Sequence, residues 1–270
     1  MSRRAVTPSR YVRLLEHIFE ERYRKGAKLV EFARENIEEA ATALRIKLPK
    51  NLGDLIYSFR YRVALPESIQ KRAPKGKVWV IRGVGRSRYA FAAVPLNSAS
   101  ILPSNILAET KIPDATPGVI GMYALNDEQA LLAILRYNRL IDIFTGVSCY
   151  SLQSHLRTTV KGMGQVETDE VYIGVDKRGA HFVVPVQAKG GNDRINIVQI
   201  EQDMAMCAEK FPAAICRPVA AQFMADDVIA LFEFERSSRG VALAVERHYR
   251  LCPPEEISPS ELGKYALRQD

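Results

Sequence analysis

The sequence predicts an α/β fold in two parts: a small basic α+β domain, then a larger domain of helices around a central mixed sheet. Three observations point there. The chain has 270 residues, 47% of them hydrophobic, enough apolar material for one large or two small cores. Its charge is lopsided, with 21 Lys and Arg against 10 Asp and Glu in residues 1–110 and 17 against 21 in the remainder. Helical and strand periods alternate along the chain, with a break in composition over 96–120. No run of about eighteen apolar residues occurs, so no membrane contact is expected, and Arg3 and Arg4 lack the apolar stretch of a secretory signal. Cys149, Cys207, Cys216 and Cys252 lack C-x-x-C spacing. They read as free thiols of a cytoplasmic protein rather than as zinc ligands or disulfides.

The first domain, residues 1–95, opens on a helix whose apolar face is Tyr11, Leu14, Leu15, Ile18 and Phe19. A second helix is expected from Ala27 through Ala33. A third follows, opened by Asn36 with Glu39 as a capping box and burying Ile37, Ala40, Ala41 and Leu44. A fourth runs over Asn51–Arg62. Lys77–Arg82 and Arg88–Val94 then read as strands around a flexible Gly83-Val84-Gly85-Arg86-Ser87 tip. Short helices followed by a basic-tipped hairpin resemble a winged-helix domain. That resemblance implies a reading helix that presents Tyr57, Arg60 and Arg62 to double-stranded DNA and a wing that presents Arg82, Arg86 and Arg88. Lys75 and Lys77 would contact phosphates, which position a protein without reading sequence.

Residues 96–120, with Asn97-Ser98-Ala99-Ser100 and three prolines, read as a linker. The second domain, 121–252, begins with a helix over Asp127–Ile141 capped by Asn126. Leu152–Val160 reads as a short helix that brings His155 and Arg157 toward the substrate. Glu170–Asp176 and His181–Lys189 are β-rich runs joined through Lys177-Arg178-Gly179, a hairpin. A helix over Ile195–Lys210, with Gln199 and Gln202 as second-rank site residues, and strands over Ile215–Met224, Val228–Glu235 and Val241–Tyr249 complete the domain. The tail, 253–270, is polar and expected to be loosely ordered.

The chemistry concentrates at the open end of that hairpin. Residues two apart on a strand share a face, which pairs Gln187 with Lys189 and Glu167 with Asp169. Pairing the start of one strand with the end of the other brings Asp169 near Gln187 and Lys189. A carboxylate, an amide oxygen and the Ala188 carbonyl are the hard oxygen ligands that Mg²⁺ (or Mn²⁺ in its place) requires. Lys189 could orient a water or offset charge on a phosphorane. Here the sequence resembles the PD-(D/E)xK nuclease superfamily in its Q-x-K variant, similar to Mrr-type and other restriction endonucleases. It departs in having no Pro before Asp169 and Gln in place of the second acid.

The resemblance spans about 125–250. It implies a restriction-endonuclease-like α/β sandwich and a Mg²⁺-dependent endonuclease of restriction type acting on double-stranded DNA. Glu128, on the preceding helix, or Glu167 would supply an extra carboxylate. A palindromic target would call for a homodimer. The rival expectations are a repair or junction-resolving nuclease, a DNA-binding regulator that keeps the scaffold without activity, and a module with no nucleic-acid partner.

Overall fold

The computed structural model describes residues 9–48, 52–96, 100–104, 106–123, 125, 127–190, 193–238 and 240–268. The side chains of Arg62 and Asp226, and residues Asn51, Asn97–Ala99 and Asn126, lie outside that description. The chain divides into two compact units. The first is built from residues up to Ser100 with Thr158–Val166 and Asn196–Val198; the second holds the rest.

In the first unit, Ser9 caps α1 (Arg10–Arg22) by accepting from the Val12 N–H, and Leu14, Leu15, Ile18 and Phe19 are buried. The expected second helix is instead a strand, β1 (Leu29–Ala33). Val30 and Phe32 face the core while Leu29 and Glu31 face out. That period-two pattern fits the antiparallel pairing of Val30 with Phe91, which outweighs the weak helical propensity of so short a run. In α2 (Arg34–Ala43) Asn36 is the third helical residue rather than the cap, and its Oδ1 accepts the Ala33 N–H at 2.7 Å.

After α2 come α3 (Leu52–Tyr57), a π-helical turn over Ser58–Arg62 and α4 (Glu67–Gln70). The hairpin β2 (Lys77–Gly85) and β3 (Arg88–Pro95) completes a three-stranded sheet in the order β1-β3-β2. Phe19, Trp79 and Phe91 meet edge-on in its core. Its turn is only Arg86-Ser87, with Ser87 in the left-handed region (φ 55°). Gly83 lies inside β2, not in a loose tip: a Cβ there would sit 2.1 Å from the Met163 carbonyl oxygen.

The second unit carries an eight-stranded mixed sheet. After the two-residue β4 (Ser100–Ile101), the expected linker supplies β5 (Glu109–Pro113), which pairs in parallel with β13 (Gly240–Cys252) at the edge of that sheet. Next come α5 (Gly118–Tyr123), α6 (Glu128–Tyr137) and α7 (Leu140–Thr145). The single expected helix breaks where Arg139 turns left-handed (φ 49°), and Asp127 is the cap, its side chain accepting from the Ala130 N–H. β6 (Ser148–Val160) replaces the expected helix around His155. β7 (Gly164–Val175) and β8 (His181–Lys189) form the expected antiparallel hairpin, with Glu170 opposite Val186.

The short β9 (Ile195–Asn196) leads into α8 (Ile197–Lys210). β10 (Ile215–Cys216) and β11 (Val219–Phe223) both run parallel to β8, and β12 (Val228–Ser237) returns antiparallel, giving the path β5-β13-β12-β11-β8-β7-β6. The tail is structured as well. Ser258 and Glu261 form a capping box for α9 (Pro259–Ala266), and Tyr265 accepts the Lys111 N–H at 3.1 Å.

Apolar alternation assigns the two faces of the sheet. Val219, Ala221 and Leu231 pack with Leu131, Leu132 and Leu135 of α6, while Ala220, Ala230 and Phe232 pack with Ile200 and Met204 of α8. Each face therefore has its own helix layer. The four cysteines are free. Among the described residues no helix is long and apolar enough to cross a membrane.

Candidate active site

β7 and β8 deliver Asp169 and Lys189 to one end of the sheet, and the first turn of α6 delivers Glu128. The Lys189 ammonium lies 2.8 Å from Glu128 and 3.8 Å from Asp169. It also donates to the Ala188 carbonyl at 2.9 Å, and the Ala188 N–H donates to Asp169 Oδ2 at 2.9 Å. Asp169 and Lys189 are buried, whereas Glu128 keeps about a third of its side-chain surface exposed (37%). Burial raises the Asp169 carboxyl above the ordinary aspartate range, against the opposing pull of Lys189 and the Ala188 N–H. The arrangement holds two carboxylates around one ammonium, so it carries an anionic excess.

Gln187 is buried and belongs to an adjoining network. Its amide N–H donates to Asp203 Oδ2 at 2.9 Å and to the Glu167 carbonyl at 3.2 Å, and its Oε1 accepts from Gln199 at 3.1 Å. Thr168 donates to Asp203 Oδ1 at 2.6 Å. Asp203 is fully buried, and that burial pushes its carboxyl up to about 7 despite the Thr168 and Gln187 donors. The sequence pattern hid Asp203 because it stands among Gln199, Glu201 and Gln202 on what reads as a solvated helix face. The one available signal was the register that turns that face toward Gln187.

The Glu167 carboxylate pairs with Arg157 at 3.0 Å and lies 4.0 Å from His155. His155 also meets Gln129 at 2.9 Å. Both His155 and Arg157 stand on the strand β6 and not on a helix.

In the first unit the expected DNA-facing residues separate. Arg60 is buried, not surface-facing: its guanidinium stacks on Tyr61 and burial lowers its pKa. Tyr57, Lys75, Arg86 and Arg88 are exposed, and Arg88 pairs with Glu31 at 2.7 Å. Lys77 and Arg82 are half-buried. Neither a protein-family model, nor a curated protein sequence, nor a solved structure matches the chain.

Proposed function

We propose that the chain is a Mg²⁺-dependent endonuclease of the PD-(D/E)xK type, in its Q-x-K form, that hydrolyses double-stranded DNA. The observation that carries this reading is the Lys189 ammonium held between Glu128 and Asp169 at the end of a β-hairpin, beside a helix N-terminus. The helix–strand–hairpin–helix–strand order around them, with a helix layer on each sheet face, supports a restriction-endonuclease-like sandwich.

The donor set fits a hard cation. Asp169 and Glu128 supply carboxylate oxygens and Ala188 a carbonyl, and a cation would offset the negative charge that burial makes costly at Asp169. Among the described residues no three His, Cys, Asp or Glu side chains are grouped to hold a metal ion, so a Mg²⁺ here would have to complete its coordination with waters. Such an ion supplies Lewis acidity to the phosphoryl group. Lys189 orients the attacking water and offsets phosphorane charge. Gln187, whose amide oxygen already accepts from Gln199, holds β8 to α8 through Asp203 instead of serving as a main ligand. Tyr57, Lys75, Arg86 and Arg88 of the first unit supply the grip on the DNA backbone.

Incubating the protein with mixed-sequence DNA, with and without Mg²⁺, and mapping the ends tests the reading: cleavage that requires Mg²⁺ is expected. The missing second acid favours one rival, a DNA-binding regulator on the same scaffold. Tight DNA binding with no cleavage at any Mg²⁺ concentration would select it.

A further inference from the structure

β6 carries a conformational outlier beside the candidate site. His155 adopts φ 50° within a strand, in the left-handed region that a non-glycine residue enters only at a cost. The distortion aims its ring at two partners. Nε2 lies 2.9 Å from the side-chain nitrogen of Gln129, the residue after Glu128, and Nδ1 lies 4.0 Å from Glu167 Oε1. Arg157 pairs with the same Glu167 oxygen at 3.0 Å, and the Glu167 carbonyl accepts from Gln187. A carboxylate thus stands 4.0 Å from one imidazole nitrogen, and the other nitrogen faces the helix turn that carries Glu128. Half of its surface remains open to a substrate (51%).

We propose that His155 is the general acid of the reaction, with Glu167 as the residue that positions it; this rests on the nuclease reading above. Water oxygen bonds to phosphorus and releases a proton to solvent, the bond from phosphorus to the leaving sugar oxygen breaks, and its electron pair goes to that oxygen. His155 Nε2 gives its proton to the same oxygen, and solvent later restores it. Imidazole suits this task because its ordinary titration range spans neutral pH. The Gln129 amide occupies Nε2 at 2.9 Å, and the leaving oxygen takes its place before transfer. The left-handed backbone at 155 is the cost of that aim.

The test compares two substrates. End mapping of the wild-type product identifies the leaving oxygen, and a second DNA carries sulfur at that bridging position. A thiolate leaves without protonation, so the sulfur substrate does not need an acid. His155→Ala should cut ordinary DNA about 100-fold more slowly yet cut the sulfur DNA within a few-fold of wild type, with unchanged DNA affinity. His155→Gln, which keeps an amide against Gln129, should behave the same and guards against a folding defect in the first variant. Equal losses on both substrates in folded His155→Gln would overturn the general-acid role and leave His155 a phosphate contact. Failure of the wild type to cut either DNA would instead remove the nuclease reading itself.

Discussion

The two units treat charge in opposite ways. The first leaves Lys75, Arg86 and Arg88 at the surface, where ion pairs such as Arg88–Glu31 contribute between about 0 and 1 kcal/mol. The second takes Asp169, Glu170, Lys189 and Asp203 inside, each less than a tenth exposed. A buried charge without partners is strongly unfavourable, so every one of these groups has a specific neighbour. On the proposed reading, the exposed cations would grip a polyanion and the buried carboxylates and Lys189 would carry the chemistry. Arg60 is the exception that sharpens the rule. It is basic and in the first unit, yet it is buried, and its carbonyl accepts from Asn196 at 2.8 Å.

Four substitutions probe that contrast. Lys189→Ala should lower Mg²⁺-dependent cleavage by about 10²–10³-fold, as loss of a group that stabilises transition-state charge does, while DNA affinity stays within a few-fold. Cleavage assays beside a binding titration check this, and undiminished cleavage would end the assignment.

Asp203→Asn should change how stability depends on pH. Its carboxyl is raised to about 7 in the folded state and titrates near 4 when unfolded. The folded form therefore retains a proton that the unfolded form releases. That contribution is complete below about pH 4 and is lost as pH rises through about 7. The asparagine variant lacks it, so the wild type should lose on the order of 4 kcal/mol relative to the variant between pH 4 and 8. Denaturant titrations at both pH values would show it, and parallel curves would contradict it.

Arg60→Ala should destabilise the fold by about 1–3 kcal/mol through lost packing while the salt dependence of DNA binding stays unchanged. Arg86→Ala should do the reverse, leaving denaturation unaltered and lowering the salt slope of DNA affinity by about 1.

The hairpin was legible because two β-branched runs flank a short glycine turn, and pairing then brings Asp169 to Lys189. Glu128 was legible as an acid in a first helical turn. What misled were segments whose state is set by distant partners. Leu29–Ala33 and Ser148–Val160 are strands because β3 and β7 lie beside them, and the proline-rich 96–120 stretch hides β5 because only β13 reveals its pairing. His155 could not be read as oriented, since the outlier at its backbone exists only in three dimensions. Asp203 was hidden by the same kind of dependence: nothing local distinguishes a helix face turned to water from one turned to a buried glutamine.

The claim on which the rest stands is that Asp169 and Glu128 share one divalent cation beside Lys189. Anomalous scattering from crystals soaked in excess Mn²⁺ tests it most directly. The account predicts one peak within about 2.0–2.3 Å of an oxygen from each carboxylate, absent in Asp169→Asn. Saturating Mn²⁺ with no peak there, and Lys189 still bonded to Glu128, would contradict it.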